Sequence, residues 1–541
     1  MKKTIYIKDY VSLPCNDASK GIKLAIEDAK KTGANCLQFE AGVYPLKSFT
    51  AYKTDQTAHD AGASLLETKD VFILLDDLQD ITISGVLGEN GEPLTVLEGD
   101  NDKQLHSILP SILWLDKGKN ITIQNFKFKR NPEFCSAGKV IKKTTDTITI
   151  EVFEGNPCYD NMGTHCMNKF TPDGQLNGES LSYGPGLKEN FKLIDKNILS
   201  LKDEGVANRV EIGDIITFHQ GGKTDFQCFF GNIENLTLKN LHTSNSNGFA
   251  HLGFNINNLT IENVKFKPEN NQYFTAPRDA FKLHKCSGEI NVRNMYIEGV
   301  RMDGQNMHSN YLFPIEFIDA NTVKFFTRYA YLDLKNGTDI EFYFKEEVKL
   351  ATIKDWQCNG QTFYANNHGY FYTVTFENDV PDGADCDTLC LARCWEPSLY
   401  VCKNSTFMNI AGAGHLSRID HMRISDCKYK NLMNSGILLG AEFPTHTEGG
   451  HATDIKISGC EFENCGNTAR YDARGCIGIK SHGIDGKNNQ EIYIENCKFK
   501  NSDIGVDIHD AKNVFIKGCE FDGVEKEVCI DKDSTSDIYF E

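Results

Sequence analysis

Three side chains with catalytic chemistry lie close together in the stretch V-R-M-D-G-Q-N-M-H-S, residues 300–309. They are the carboxyl group of Asp303, the amide of Asn306 and the imidazole of His308. A carboxyl group donates or accepts a proton, whereas an amide and an imidazole hydrogen-bond hydroxyl groups. The combination therefore indicates acid–base chemistry on a polar substrate.

A second set with the same spacing stands 24 residues earlier, in D-A-F-K-L-H, and consists of Asp279, Lys282 and His284. Strand alternation turns the two apolar residues between the last two to the other side. If one coil of a repeat fold has this length, the two sets lie side by side, ~4.8 Å apart. Adjacent carboxyl groups suit glycoside hydrolysis, because one acid protonates the leaving oxygen and the other activates water or attacks the sugar.

A structural role for the two aspartates is the competing interpretation. Aspartate is a common turn residue, and both Asp279 and Asp303 stand where a strand begins. Repeat geometry alone leaves this interpretation open beside catalysis.

An internal repeat predicts the elements that position these residues. One phrase recurs, in which an Asn, Asp, Glu or His precedes an alternating apolar stretch, a polar turn residue and an apolar or aromatic residue. The copies are DITISGV (80–86), NITIQNFKF (120–128), NLTLKNL (235–241), NLTIENVKF (258–266), EINVRNMYI (289–297), HMRISDCKY (421–429), DIKISGCEF (454–462), EIYIENCKF (491–499) and NVFIKGCEF (513–521). Each copy reads as a short strand that ends in a turn.

Successive copies stand 22 to 37 residues apart where they adjoin, with no regular helix between them. This spacing predicts an all-β, right-handed parallel β-helix of the pectate-lyase-like kind, in which each coil stacks on the last. A β-sandwich is the alternative, but it would use tighter spacing and would not repeat one strand phrase.

The N-terminal region predicts a cap for this solenoid. Apolar residues at helical spacing follow Asn16 and Asp17, which are N-cap candidates, and Gly33 is a stop signal. We expect a short helix that covers the open end of the first coil, where backbone groups would otherwise be unpaired.

Two stretches interrupt the repeat and are rich in alternating β-branched and aromatic residues. We interpret each as a small antiparallel β-barrel inserted between coils. The predicted organisation is a cap with the first coils (1–130), an inserted barrel (131–225), central coils (226–309), a second inserted barrel (310–395) and C-terminal coils (396–541).

Cysteines follow the repeat as well. Cys427, Cys460, Cys497 and Cys519 hold the same offset in four copies, which predicts a ladder of buried free thiols. The 19 cysteines are odd in number, and none forms a pair of CxxC motifs with zinc spacing, so we expect neither a metal nor a cofactor.

Composition narrows the class of partner. The formal net charge is −18, and no basic stripe with interleaved aromatics occurs, so nucleic acid is not an expected partner. No stretch reaches the ~20 apolar residues of a membrane span, and the N-terminus lacks the apolar run of a signal peptide. We expect a cytoplasmic protein, or a secreted one if a leader was removed. A homo-oligomer stays open.

The stretch 278–309 resembles the core of glycoside hydrolase family 110, the α-1,3-galactosidases that act on terminal galactose, as in blood group B determinants. That family's pattern is roughly D-G-x-H-x-x-x-C-x-G-x-I, followed by D-D-x-x-N-V-H-G. The Cys-x-Gly step is present as Cys286 and Gly288, and the N-x-H step as Asn306 and His308. The resemblance extends over most of the chain and is weak at the ends.

The resemblance implies a parallel β-helix with inserted barrels and an inverting mechanism. Carried over by position, the family's acids are Asp279 and Asp303, and the loop G-A-E-F-P-T-H-T-E-G-G places Glu442 and Glu448 at two further acids. The same loop carries His446. The first acid of the family's Asp-Asp pair is Met302 here, and a thioether cannot carry a proton or a negative charge. Glu442 or Glu448 would then supply the missing carboxylate, or the linkage differs, or activity is lost.

The resulting hypothesis is an exo-acting, inverting glycoside hydrolase on oligosaccharides with terminal α-linked galactose. The acids carry the catalytic roles (Asp279, Asp303 and Glu448), and the other polar residues bind the sugar (Lys282, His284, Asn306, His308, Glu442 and His446). One alternative is a related glycosidase for another α-linkage or sugar, and another is a non-catalytic glycan-binding solenoid. A third is a pectate-type lyase, which would need a Ca²⁺ site and a basic residue such as Arg278 or Lys282.

Overall fold

The computed structural model describes residues 3–53, 68–102, 109–178, 180–182, 186–219, 226–328, 331–345, 347–469, 473–484, 486 and 488–541. In this part of the chain a 30-stranded, mainly parallel sheet wraps around one long hydrophobic core. The chain is a parallel β-helix, as its repeat predicts. Each full coil adds a strand to three columns, which we name the repeat column, the aromatic column and the site column.

Four long strands in the first coils each supply more than one column: Thr68–Ser84, Ser111–Asn131, Phe226–Thr243 and Phe249–Phe266. The other strands of the repeat column are Thr4–Tyr6, Cys36–Gln38, Ser287–Arg293, Pro397–Lys403, Met422–Ser425, Thr453–Ser458, Asn489–Glu495, Ala511–Lys517 and Thr535–Phe540. The aromatic column adds Gly42–Leu46, Thr95–Asp100, Tyr296–Glu298, Thr406–Ile410, Lys428–Leu432, Glu461–Cys465, Lys498–Lys500 and Glu520–Asp522. The site column adds Phe281–His284, Gln305–Asn310, His415–Ser417, Ile437–Leu439, Ile477–Ile479, Ile504–Ile508 and Lys526–Ile530.

Identical positions of the repeat phrase stack on one another. Leu236 pairs with Leu259, and Leu259 pairs with Ile290, so each apolar triplet buries its inward residues above the triplet of the previous coil. In the aromatic column, the rings of Tyr429 and Phe462 lie parallel with centroids 4.7 Å apart. Such stacking removes the rings from water and fixes the register between coils.

The polar residue that ends each phrase forms a second ladder at the surface. Asn240, Asn263 and Asn294 each have a positive φ, and each donates its side-chain amide to the asparagine of the previous coil at 2.9–3.0 Å. Asparagine tolerates this left-handed conformation better than other residues that carry a Cβ. The turn residue in the repeat is therefore both a backbone requirement and a link between coils.

The predicted cap is the helix Ser19–Thr32, which follows a short 3₁₀ turn at Ile7–Asp9. Its inward side packs four buried apolar residues on the first coil: Ile22, Ala25, Ile26 and Ala29. The carboxylate of Asp17 accepts the backbone N–H of Ser19 at 3.0 Å, and the helix ends at Gly33, whose φ is 61°. The predicted start and stop residues thus perform the expected tasks, although Ala18 occupies the N-cap position.

The two interruptions of the repeat contain antiparallel structure with separate cores. The first insertion is a six-stranded sheet, whose strands are Cys135–Lys143, Thr147–Val152, His165–Phe170, Lys192–Asp195, Ile198–Lys202 and Ile215–His219, with a short helix at Glu204–Ala207. The second insertion is a closed barrel of Leu312–Asp319, Thr322–Arg328, Asp339–Tyr343, Val348–Tyr364, Asn367–Phe376 and Leu389–Ala392. A 3₁₀ turn, Arg393–Trp395, returns the chain to the solenoid.

The cysteine ladder lies in the solenoid interior. Cys427, Cys460 and Cys497 are fully buried free thiols, and Cys402 extends the ladder, with its Sγ 3.9 Å from that of Cys427. Buried thiols of this kind behave as small apolar side chains, as predicted. Among the described residues, no helix has the length and apolar character to cross a membrane.

Candidate active site

The two polar sets of the sequence occupy adjacent coils of the site column. Lys282 pairs with Asn306 and His284 pairs with His308 in a parallel register, so one coil spans 24 residues here. The alternate residues of the first strand, Phe281 and Leu283, belong to the hydrophobic core. Lys282, His284, Asn306 and His308 therefore lie on the outer side of the coil, as strand alternation predicts.

Asp279 and Asp303 stand at the entrances of these two strands and contact each other. Asp279 accepts the backbone N–H of Asp303 at 3.2 Å and the side-chain amide of Asn306 at 3.3 Å. Asp303 in turn accepts the backbone N–H of Ala413, on the following coil, at 2.8 Å. Both carboxyl groups are thus held by hydrogen bonds on the same side of the solenoid.

This polar face is covered, whereas the sequence predicts an open hollow. Asp279 is 2% exposed and Asp303 is fully buried, and the other four side chains are at most 5% exposed. The covering comes from elements that no repeat pattern announces. Cys166 of the first insertion lies with its Sγ 3.9 Å from the carbonyl of Pro277, and Trp395 stacks on the Lys285 ammonium at 4.2 Å.

Residues 440–450, which we call the strap, cover the same face from another direction. The short strand Glu448–Gly449 within it runs antiparallel to Ser309 and Asn310 at the end of the site strand. Asn310 donates its side-chain amide to the carbonyl of Thr447 at 3.4 Å and accepts a hydrogen bond from Nε2 of His284 at 2.6 Å. The strap is thereby joined to one of the predicted sugar-binding histidines.

Glu448 lies at the centre of a buried cluster of cations. Its Oε2 is 3.2 Å from Nη2 of Arg418, and its Oε1 is 3.5 Å from Nζ of Lys282 and 3.5 Å from Nε2 of His308. Burial alone would raise the pKa of this carboxyl, but Arg418, His308 and Lys282 together hold its pKa well below the usual range. Glu448 is therefore a permanent carboxylate at neutral pH.

The two histidines are neutral in this environment. Burial lowers the pKa of His308 to about 4, despite the nearby Glu448. Burial and the adjacent His308 hold the pKa of His284 well below its usual value, and the rings stack with centroids 4.7 Å apart. Nδ1 of His308 faces the carbonyl of Ser309 at 2.7 Å and must carry its hydrogen, so Nε2 presents a lone pair. That lone pair can accept a hydrogen bond from a substrate hydroxyl.

Glu442 and His446 belong to the turn of the strap. Glu442 is fully buried, and its Oε2 accepts the backbone N–H of His446 at 2.7 Å. The backbone N–H of Glu442 bonds to the carbonyl of Glu448 at 3.1 Å, so the two strap acids are direct neighbours across the turn. Within the described part of the chain, Oε1 of Glu442 has no hydrogen-bond partner. His446 is half-buried and contributes its backbone to this arrangement.

Arg418 is the residue of this face that the sequence does not reveal. It follows His415–Ser417 and occupies the position after Met307 in the coil above, where its backbone N–H bonds to the Met307 carbonyl at 2.9 Å. The second insertion separates the two coils by 110 residues and hides the regular offset. The strand phrase H-L-S-R is the one signal that could have indicated it.

Met302 lies next to Asp303 and offers no proton-transfer group, and Gly412 occupies the same position in the next coil, where its N–H bonds to the Met302 carbonyl at 3.1 Å. The next coil therefore supplies no carboxyl at this position. Among the described residues, no group of three His, Cys, Asp or Glu side chains converges to hold a metal ion.

Comparison with known proteins places this geometry in context. Over 493 residues the chain is 22% identical to alpha-1,3-galactosidase A of Bacteroides fragilis, a match that covers 86% of this chain and 77% of that protein. It is 21% identical over 486 residues to alpha-1,3-galactosidase B of the same species, covering 82% and 75%. The chain is a homologue of the α-1,3-galactosidases. This relationship places it among the glycoside hydrolases.

Other comparisons add little detail. The homologue of Streptomyces avermitilis, alpha-1,3-galactosidase A, is 20% identical over 508 residues, covering 84% of this chain and 77% of that one. No family model matches the chain. Among solved structures, the endo-xylogalacturonan hydrolase of Aspergillus tubingensis aligns with 99% of this chain and 95% of its own, at 8% identity and a TM-score of 0.39.

Proposed function

We propose that the protein is an exo-acting glycoside hydrolase that removes terminal α-linked galactose from oligosaccharides, with the α-1,3 linkage as its first candidate. The observation that carries this proposal is the pairing of Asp279 and Asp303 at the entrances of two adjacent coils. The names of the homologues support the sugar and the linkage.

Asp279 and Asp303 would share the acid and base roles. One protonates the glycosidic oxygen, and the other activates the water that attacks the anomeric carbon from the opposite face. This is an inverting mechanism, so the first product would be β-galactose. Asn306 fixes Asp279 through its amide, while the ammonium of Lys282 and the lone pair on His308 Nε2 would bind sugar hydroxyls.

The two acids of the strap would have different tasks. Three cations hold Glu448 as a carboxylate, so we assign it an orienting role rather than that of acid or base. Glu442 keeps one carboxyl oxygen without a hydrogen bond in the described structure, beside Glu448. Glu442 is thus the better candidate for the carboxylate that Met302 cannot supply.

A non-catalytic glycan-binding solenoid is the second candidate, and the side chain of Met302 is the observation that favours it. A site that keeps its sugar contacts but lacks one of the family's acids would bind a galactoside without cleaving it. The two candidates differ in turnover and share binding.

The test is hydrolysis of aryl α-galactosides and of B-type oligosaccharides, followed by ¹H NMR of the first anomer released. Asp279→Asn and Asp303→Asn should each lower kcat by at least ~100-fold, the scale of general acid–base catalysis. Asp507→Asn is the matched control, because Asp507 is a buried aspartate further along the site column. Galactoside binding with no turnover by the unsubstituted protein would support the second candidate, and α-galactose as first product would contradict inversion.

A further inference from the structure

Arg418 has no role in the function proposed above, yet its guanidinium is fully buried on the same face as the two aspartates. Burying an arginine requires compensation, because moving an isolated charge out of water is costly. The compensation is Glu448, whose Oε2 lies 3.2 Å from Nη2. The two residues come from different coils, and the strap brings them together.

The carboxylate of Glu448 divides its oxygens between two tasks. Oε2 contacts Arg418, whereas Oε1 lies 3.5 Å from both Lys282 Nζ and His308 Nε2. His446 adds a more distant positive influence from the strap. The orientation of the whole carboxylate, and thus of Oε1, is therefore determined by the contact with Arg418.

We propose that Arg418 is a positioning residue for the sugar site: it holds Glu448 as a fixed carboxylate, whose other oxygen orients Lys282 and keeps His308 Nε2 available to the substrate. This inference rests on the proposed hydrolase function. Arg418 does not contact the reacting atoms and acts through Glu448.

Removal of the guanidinium has a specific chemical consequence. Without its main counter-charge, the buried Glu448 takes up a proton at a higher pH than before. The resulting O–H donates to Nε2 of His308 and occupies the lone pair that would accept a sugar hydroxyl. Lys282 loses its anionic partner at the same time.

The variants Arg418→Met and Arg418→Lys test this sequence of effects. Arg418→Met should lower kcat/KM on the order of 100-fold, as expected for misplaced binding groups, and should move the acid limb of the pH–rate profile to higher pH. Arg418→Lys keeps a positive charge and should recover part of the loss. The control is Arg423→Met, which removes a half-exposed arginine that pairs with Asp454 on the repeat column and should leave kcat/KM unchanged.

Coupling to Glu448 is tested in the background of Glu448→Gln. If Arg418 acts through Glu448, Arg418→Met should add less than threefold to the loss that Glu448→Gln already causes. Full multiplication of the two losses, or an unchanged pH profile, would overturn the proposal. Where Arg418→Met does not fold, the comparison of Arg418→Lys with Glu448→Gln carries the same test, because the effect of the former should vanish in the latter background.

A readout independent of catalysis separates this proposal from the proposed function. In protein labelled with ¹⁵N-histidine, with the signal assigned through His308→Gln, Nε2 of His308 should resonate as an unprotonated nitrogen at neutral pH. Arg418→Met should shift this resonance toward the hydrogen-bonded form. An unshifted resonance overturns the role of Arg418, whereas a shift without any glycosidase turnover leaves the contact confirmed and refutes the hydrolase function alone.

Discussion

Glu341 should make the stability of the protein depend on pH. It lies on the barrel strand Asp339–Tyr343, where Arg393 contacts three carboxyl groups: Nε is 3.0 Å from Oε1 of Glu341, while Nη1 is 2.7 Å from Asp420 Oδ2 and 3.6 Å from Glu396 Oε2. One guanidinium cannot neutralise three carboxylates. Burial, and next the charge of Asp420, raise the pKa of Glu341 to about 7.

The sign and size of the effect follow from linkage. In the unfolded chain Glu341 releases its proton near its ordinary pKa of 4.5, whereas in the folded protein it keeps the proton up to about pH 7. Between these values the folded state binds more protons, so its stability falls as pH rises. At about 1.4 kcal/mol per pH unit, the loss amounts to about 3 kcal/mol.

The substitution Glu341→Gln removes this titration, because glutamine is neutral at every pH. The difference in unfolding free energy between the unsubstituted protein and Glu341→Gln should therefore fall by about 3 kcal/mol between about pH 4 and pH 8. Urea unfolding followed by the fluorescence of Trp395, in the barrel core, measures it. Glu347→Gln is the control, because Glu347 is an exposed glutamate beside the same barrel. A difference that stays constant with pH would refute the reasoning.

Three further predictions concern the ladder, the thiols and the site. Asn263→Ala should lower the unfolding free energy by about 2 kcal/mol through its positive φ and the lost ladder bonds, and Asn263→Gly should lose less, in the same urea assay. A thiol reagent should react rapidly with exposed Cys386 in the native protein, so Cys386→Ser should remove the fast phase, while the buried Cys460 and Cys497 should react only after unfolding. Lys282→Met should raise KM for an aryl α-galactoside on the order of tenfold, since it removes a charged hydrogen-bond donor beside Glu448; an unchanged KM would contradict the assigned sugar contact.

Much of the solenoid is legible in the sequence because its physics is local and periodic. A strand phrase that ends in Asn or Asp states both the inward triplet and the left-handed turn, so the stacking of Leu236, Leu259 and Ile290 follows from spacing. The offset of 24 residues likewise predicts the pairing of Lys282 with Asn306 and of His284 with His308.

The covering of the site is not legible in the same way. Arg418 and Glu448 reach the face through an insertion and an irregular strap, whose positions depend on contacts distant in sequence. The burial of Asp279 and Asp303 depends on the same elements, so alternation predicts their side of the coil but not their exposure. The substitution of a family acid by Met302 is visible in the sequence, whereas the hydrogen bonding of Glu442 needs the fold.

The most direct test of the central claim is the crystal structure of Asp303→Asn with a B-type trisaccharide. The account predicts that the anomeric carbon of the terminal galactose lies between the side chains of residues 279 and 303, with Lys282 and His308 bonded to its hydroxyls. A trisaccharide bound elsewhere would contradict it, for instance in the cleft of about 870 Å³ beside Asp100, Glu133 and Tyr159, with the two aspartates untouched.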